Sequence, residues 1–326
     1  MRNTRLPAVE RLYGHVARMR AFELALGDLW ARGLISGELH LGIGEEGIAA
    51  GVVHHLTDGD ALALDHRSTP PLVGRGVDLE EMILEMLGHS GGLSGGRGGH
   101  MHMFSPQHLA ASSGIVGSSG PLAAGFALSA RLRRPGKVAV AFFGEAAVNQ
   151  GMLMEAFNLA VVWALPVVFV CKDDGWSITT RSRTMTGGDV LGRATAFGLA
   201  ASHVDGSDVE DVWKQAGEAV ERARSGKGPS FLHATCYRPR GHFEDFRPFR
   251  LVRTPRELSS ETAALMKSLM RPRGGSATKR LAGMTAVVRT LGASARHQFG
   301  RHKDPLTVAA RRLSQDRADE INRTAE

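Results

Sequence analysis

Between residues 138 and 176 the chain carries two apolar runs separated by a segment of helical length, VAVAFFGEAAVNQG, then 151–164, then LPVVFVCKDDGW. The runs VAVAFF (138–143) and LPVVFV (165–170) are continuously apolar and rich in β-branched and aromatic residues, the pattern of strands buried on both faces of a parallel sheet. Parallel neighbours need a crossover of about a dozen residues or more, and 151–164 supplies one as a helix. The unit expected is βαβ, and the fold class expected is α/β, a central, mostly parallel sheet flanked by helices. In such open sheets ligands sit outside the carboxyl ends of the strands. Glu145 and Asp174 stand just past the two runs, 174 − 145 = 29 residues apart, so both should face one crevice near the helix that follows Gln150. Two hard carboxylates there suit a divalent cation bridging to a diphosphate. Two surface carboxylates at ordinary loop ends would read the same way, so the pair alone does not decide.

The surrounding residues do. Gly144-Glu145-Ala146-Ala147-Val148-Asn149-Gln150-Gly151 and Lys172-Asp173-Asp174-Gly175-Trp176 resemble the thiamine diphosphate motif of the E1 α subunit of two-subunit 2-oxo acid dehydrogenases, G-D-G-A-A-N-Q-G followed by E-N-N-x-Y. The resemblance implies that Glu145, Asp174 and Trp176 form the metal site for Mg²⁺ or Ca²⁺, with Ala146 and Ala147 against the cofactor. Glu145 replaces an Asp, Ala146 a Gly, Asp174 an Asn and Trp176 a Tyr. Glu is one methylene longer, Asp adds a charge beside an anionic diphosphate, and Ala146 puts a Cβ where backbone approaches the cofactor. Altered affinity or metal preference is therefore expected.

Further motifs follow in the family's order. MRAFELALGDLWARGLISGELHLGIGEEGIAAG (19–51) resembles the opening helix and H-L-x-x-G-[QE]-E-A segment, which makes His40 a diphosphate contact. LDHRSTPPLVGRGVDLEEMILEMLG (64–88) resembles the Y-R-x-H-G-H stretch: Arg67 matches the arginine that holds the diphosphate, His66 replaces the Tyr, Thr69 the His, and Pro70 and Pro71 the G-H. His66 is assigned with the cofactor-binding set, and the proline pair stiffens that loop. GGLSGGRGGHMHMF (91–104) and SSGIVGSSGPLAAGFALS (112–129) place Gly114, Ile115 and Val116 under the cofactor's aminopyrimidine. His100 and His102, two residues apart in a loop with no further partner, are not expected to form a metal pair. FLHATCYRPRGHFEDF (231–246) resembles the family's strand and Y-R-x-H-G-H-S, which places His242 on the histidine that assists proton transfer or substrate binding, the catalytic residue implied here. Arg240 replaces that motif's first histidine and Phe243 its phosphorylated serine, so regulation at that serine is not expected.

Length and charge bound this reading. A chain of 326 residues can bury a large core, and the resemblance covers about 10–250; the division expected is a cofactor-binding α/β domain over 1–250 and a basic, partly flexible, helical tail over 251–326. Residues 262–314 hold eleven Lys or Arg and one acid, Asp304, a net +10 against +7 for the whole chain. Such a stretch is a solvated face or a dock for an acidic carrier domain; with Phe299 its only aromatic, nucleic acid is a poor fit. Ser207-Asp208-Val209-Glu210 reads as a capping box before a helix that Gly226 ends, and PSFLHATCY (229–237) as a strand. Cys171 and Cys236 read as buried free thiols of a reducing compartment. The N-terminus lacks an apolar signal core and no run reaches membrane-span length, so a cytoplasmic, non-membrane protein is expected.

The activity implied is cleavage of a 2-oxo acid and transfer of the acyl unit to a lipoyl or carrier-bound thiol. Nothing resembles the pyrimidine-binding domain, so a separate β subunit in an α2β2 assembly is implied. Two alternatives remain open at this point: transfer of a two-carbon ketol unit from a ketose-type donor onto a carrier protein, and a non-catalytic scaffold for the β subunit.

Overall fold

The computed structural model of the chain describes residues 9–178, 180–244 and 304–325, with isolated positions between 276 and 289. The expected βαβ unit is present. Strand β4 (Ala139–Gly144) leads through a 3₁₀ turn (Glu145–Asn149) into α6 (Gly151–Val162), and β5 (Val167–Asp173) returns parallel to β4. Around it lie β1 (Ala61–Leu64), β2 (Phe104–Ser105), β3 (Ala110–Ser112), β8 (Ala200–Asp205) and β9 (Ser230–Thr235). The order is β2-β3-β1-β4-β5-β9-β8, parallel throughout except for the antiparallel β2–β3 pair. A small hairpin, β6 (Trp176–Ser177) and β7 (Thr180–Arg181), follows β5.

Alternation along the strands divides the interior into two clusters. Val140, Phe142, Val168, Val170 and Leu232 face one side, with α1 (Val9–Ala31), α2 (Glu46–Val53), α3 (Thr69–Arg75), α4 (Leu79–Met86) and α8 (Val209–Arg224). Ala139, Ala141, Phe143, Phe169 and Phe231 face the other, with α5 (Ser119–Arg133), α6 and α7 (Val190–Ala196). Both faces of β4 and β5 are buried, which is why their sequence shows no polar alternation.

The helix after residue 207 starts differently from the sequence reading. Asp208 is the cap, accepting from the N–H groups of Glu210 and Asp211, while the Ser207 hydroxyl donates to Asp205 at 2.5 Å. Asp is as good a cap as Ser, and the neighbouring carboxylate draws the hydroxyl away. Beyond the sheet, α9 (Pro305–Ala310) and α10 (Gln315–Ala325) pack on α1, tied by the Tyr13 hydroxyl donating to Asn322 at 2.8 Å and by Arg20–Asp304 at 2.6 Å. Apart from the isolated positions between 276 and 289, residues 262–303 of the basic stretch, with Arg271, Arg273 and Arg280, lie outside the described residues. Cys171 is buried and Cys236 part-buried, both free. Among the described residues no helix is long and apolar enough to cross a membrane.

Candidate functional site

Five parallel strands deliver the candidate residues at their carboxyl ends. Asp65, His66 and Arg67 follow β1; Gly114, Ile115 and Val116 follow β3; Glu145, Ala146 and Ala147 follow β4; Lys172, Asp174 and Trp176 lie at or past the end of β5; Arg238 and His242 follow β9. A loop ahead of α2 adds His40 and Glu45. Gly44 lets that loop pass close to the end of β9: its φ is +101°, and a Cβ would stand 1.9 Å from the Tyr237 carbonyl oxygen.

The floor of the crevice is a buried ionic network. Lys172 Nζ lies 2.7 Å from Glu45 Oε2 and 2.9 Å from Asp65 Oδ1. Arg238 joins Glu45 Oε1 at 3.1 Å, Asp174 Oδ1 at 2.6 Å and the Trp176 carbonyl oxygen at 3.2 Å. Arg67 donates to the carbonyls of Leu41, at 2.6 Å, and His242, and its Nε lies 3.7 Å from Glu45. Burial pushes the Glu45 carboxyl up, but Lys172, Arg238 and Arg67 together bring it down to about 2, so it is ionised.

Glu145 stands differently. Burial, then the Asp174 charge, push it up to about 8, and the Ser182 hydroxyl donates to its Oε1 at 2.5 Å. At neutral pH it is mostly protonated. Burial also raises Asp174, against the pull of Arg238 and Arg67. Ala147 is buried in the turn after Glu145 and Ala146 half-buried.

Above the network four imidazoles gather. One ring nitrogen from each of His40, His66 and His242 lies within 4.8 Å of the others. His40 Nδ1 is 2.9 Å from His100 Nε2. Burial, and next the Arg67 charge, hold His40 at about 3, His100 at about 4 and His242 at about 2, and lower His66 further. All four are neutral at pH 7. His100 enters the group through His40.

His100 is delivered by a glycine-rich loop whose shape is imposed from outside. Glu85 on α4 accepts from the N–H groups of Ser94 (2.6 Å), Gly96 (2.9 Å) and Gly98 (2.5 Å). Past that loop, Gly114 packs near Met101 and His102, while Ile115 and Val116 are 63% and 49% exposed at the rim. Thr69 donates to Glu23, whose other oxygen accepts from Gly42 at 2.7 Å, so Thr69 supports the loop from behind.

The sequence reading brought together His40, His66, Arg67, Asp174, Trp176 and His242, and the structure places them in one crevice. It assigned nothing to Glu45, Asp65, Lys172 or Arg238. Lys172 and Arg238 had a legible signal, since each is a cation just at or beyond an apolar strand. Glu46, beside His40 in sequence, turns away to Arg20 at 2.5 Å and the Gly44 N–H.

Residues 15–269 match the family model described as dehydrogenase E1 component. The chain is 40% identical over 235 residues, 72% of it and 71% of the relative, to the α subunit of acetoin:2,6-dichlorophenolindophenol oxidoreductase of Bacillus subtilis. The same identity and coverage hold for the protein of that name in Cupriavidus necator. It is 38% identical over 234 residues, 71% of it and 67% of the relative, to the pyruvate dehydrogenase E1 component subunit alpha of Rhizobium meliloti.

Proposed function

Because this chain belongs to the dehydrogenase E1 component family, we propose that it is the α subunit of a thiamine diphosphate-dependent E1-type enzyme, one that decarboxylates a 2-oxo acid and hands the acyl unit to a lipoyl or other carrier-bound thiol. It acts in the cytoplasm with a β subunit, as α2β2. Relatives named for acetoin and pyruvate favour this reading over ketol transfer onto a carrier and over a scaffold without catalysis.

The observation that carries the proposal is the convergence of Arg67, Lys172 and Arg238 with Glu145, Asp174 and the Trp176 carbonyl at the strand ends. The donor set fits a metal-bound diphosphate. Glu145, Asp174 and the Trp176 carbonyl offer three hard oxygens, and each already draws a proton donor or a guanidinium. Arg67, Lys172 and Arg238 are already paired with Glu45, Asp65 and Asp174, so the network's cations are engaged before any anion arrives. A hard dication such as Mg²⁺ or Ca²⁺ held by Glu145, Asp174 and Trp176 supplies what is lacking.

When bound, thiamine diphosphate supplies the carbanion and the electron sink. The chain's residues supply placement. His40 and Arg67 would hold the diphosphate, with His66 beside them and Ala146 and Ala147 in the turn nearby, and Gly114, Ile115 and Val116 would support the aminopyrimidine. His242, which burial and the Arg67 charge hold at about 2 and therefore neutral, would meet the substrate end as a hydrogen-bond partner rather than as a base at neutral pH.

The test is calorimetric titration of thiamine diphosphate into this chain copurified with its β subunit, with and without Mg²⁺, beside a Glu145→Ala variant. Metal-dependent binding that the variant loses is expected. A properly assembled complex that binds no thiamine diphosphate would overturn the proposal.

A further inference from the structure

We propose that His40, His66 and His242 form a second, chemically distinct metal site, three imidazole nitrogens for a borderline first-row dication of the Zn²⁺ class. Among the described residues this is the one group of three or more His, Cys, Asp or Glu whose ligand atoms all lie within 4.8 Å of one another. His66 and His242 both stand edge-on or tilted to their neighbours, with ring centroids 4.6 Å and 5.0 Å from His40 and 5.5 Å from each other. His66 Nε2 and His242 Nδ1 are buried and make no hydrogen bond. His40 spends Nδ1 on His100, which leaves Nε2 to ligate and gives it a supporting partner of the kind that fixes a ligand's tautomer.

The three come from separate loops, yet they are pre-assembled. Arg67, next to His66, is bonded to the carbonyls of Leu41, next to His40, and of His242 itself. Its charge opposes a dication, but Glu45 at 3.7 Å offsets it. Burial keeps all three rings neutral, the form that ligates. Nitrogen donors with no carboxylate among them select Zn²⁺, Co²⁺ or Cu²⁺ over Mg²⁺ or Ca²⁺, and three ligands leave a fourth position open. His66 stands where the E1 α motif has tyrosine, so the third nitrogen belongs to this chain rather than to the motif.

The site's existence does not depend on the proposed function. Its consequence does, because His40 and His242 are there assigned to cofactor and substrate: Zn²⁺ should compete with thiamine diphosphate. Co²⁺ titrated into this chain should give the visible absorption of low-symmetry, four-coordinate cobalt, displaced by Zn²⁺. His66→Tyr and, independently, His242→Gln should abolish it with far-UV circular dichroism unchanged, while His100→Phe weakens binding about 10- to 100-fold. His108→Gln should change nothing. Absence of the bands in the unaltered chain, or their persistence in both triad variants, overturns the site. With Mg²⁺ present, Zn²⁺ at ten times its own Kd should raise the apparent Kd for thiamine diphosphate on the complex about tenfold. Simultaneous binding overturns the competition. A complex that binds Co²⁺ but never thiamine diphosphate instead overturns the proposed function and leaves the triad standing.

Discussion

Replacement of Glu23 by glutamine should stabilise the protein by an amount that grows as pH rises from 4.5 to about 7. Glu23 lies fully buried on α1, behind the site, accepting from the Thr69 hydroxyl and the Gly42 N–H. Burial, which these hydrogen bonds only partly offset and which the Glu46 and Glu45 charges reinforce, raises its carboxyl from 4.5 to about 7. The fold therefore favours the protonated acid. Stability linked to this group is fully present below pH 4.5, the value for the unfolded chain, and is lost as pH rises through 7. A difference of about 2.5 units at 1.36 kcal/mol each is a loss of about 3 kcal/mol. Glutamine cannot ionise, its oxygen can accept from Gly42, and its amide can donate to the Thr69 oxygen. Glu23→Gln should match the unaltered chain near pH 4.5 and exceed it by about 3 kcal/mol at pH 8.5, an upward melting shift on the order of 5 °C. Denaturant melts of both proteins across pH 4.5–8.5 measure the difference directly, because other titrating groups cancel. A difference that stays constant with pH, or a glutamine variant less stable at pH 8.5, refutes the assignment of Glu23 as a neutral buried acid.

Two further substitutions test the site's framework. Arg238→Gln leaves Glu45 and Asp174 without their shared cation and should destabilise by about 3–5 kcal/mol in urea melts; adding Asp174→Asn should recover part of that loss, and strict additivity of the two costs would deny the pairing. Glu85→Gln turns an acceptor into a donor facing backbone N–H groups, at about 1–3 kcal/mol for each group left unpaired, and amide exchange at Ser94, Gly96 and Gly98 should accelerate; protection equal to that of the unaltered chain would exclude Glu85 as the loop's organiser.

The central βαβ unit was legible because β4 and β5 are buried on both faces, and such strands announce themselves as unbroken apolar runs. Strand β8, with its half-exposed ASHVD, has no such run and among the described residues pairs only with β9. The order of motifs located His40, Arg67, Asp174 and His242. Their ionic wiring was not legible, because Glu45 meets Lys172 and Arg238 across more than 120 residues of chain, and no local spacing encodes those meetings. The cap at Asp208 rather than Ser207 shows the smaller failure: two adjacent residues can both cap, and a third, Asp205, decides.

Glu85 and the glycine-rich loop carry a consequence for how such a chain can vary. Six of the nine residues from Gly91 to Gly99 are glycine, with no side chains to specify a path. The path is written instead in one carboxylate on a helix that ends before the segment begins. Information about where His100 stands is thus stored in part outside the loop that carries it. Within the loop, Gly96 and Gly98 are held to glycine by contact, since a Cβ there would stand 2.3 Å from the Gly88 carbonyl carbon and 1.9 Å from the His102 carbonyl oxygen, whereas one change at Glu85 erases the instruction without touching the segment it instructs.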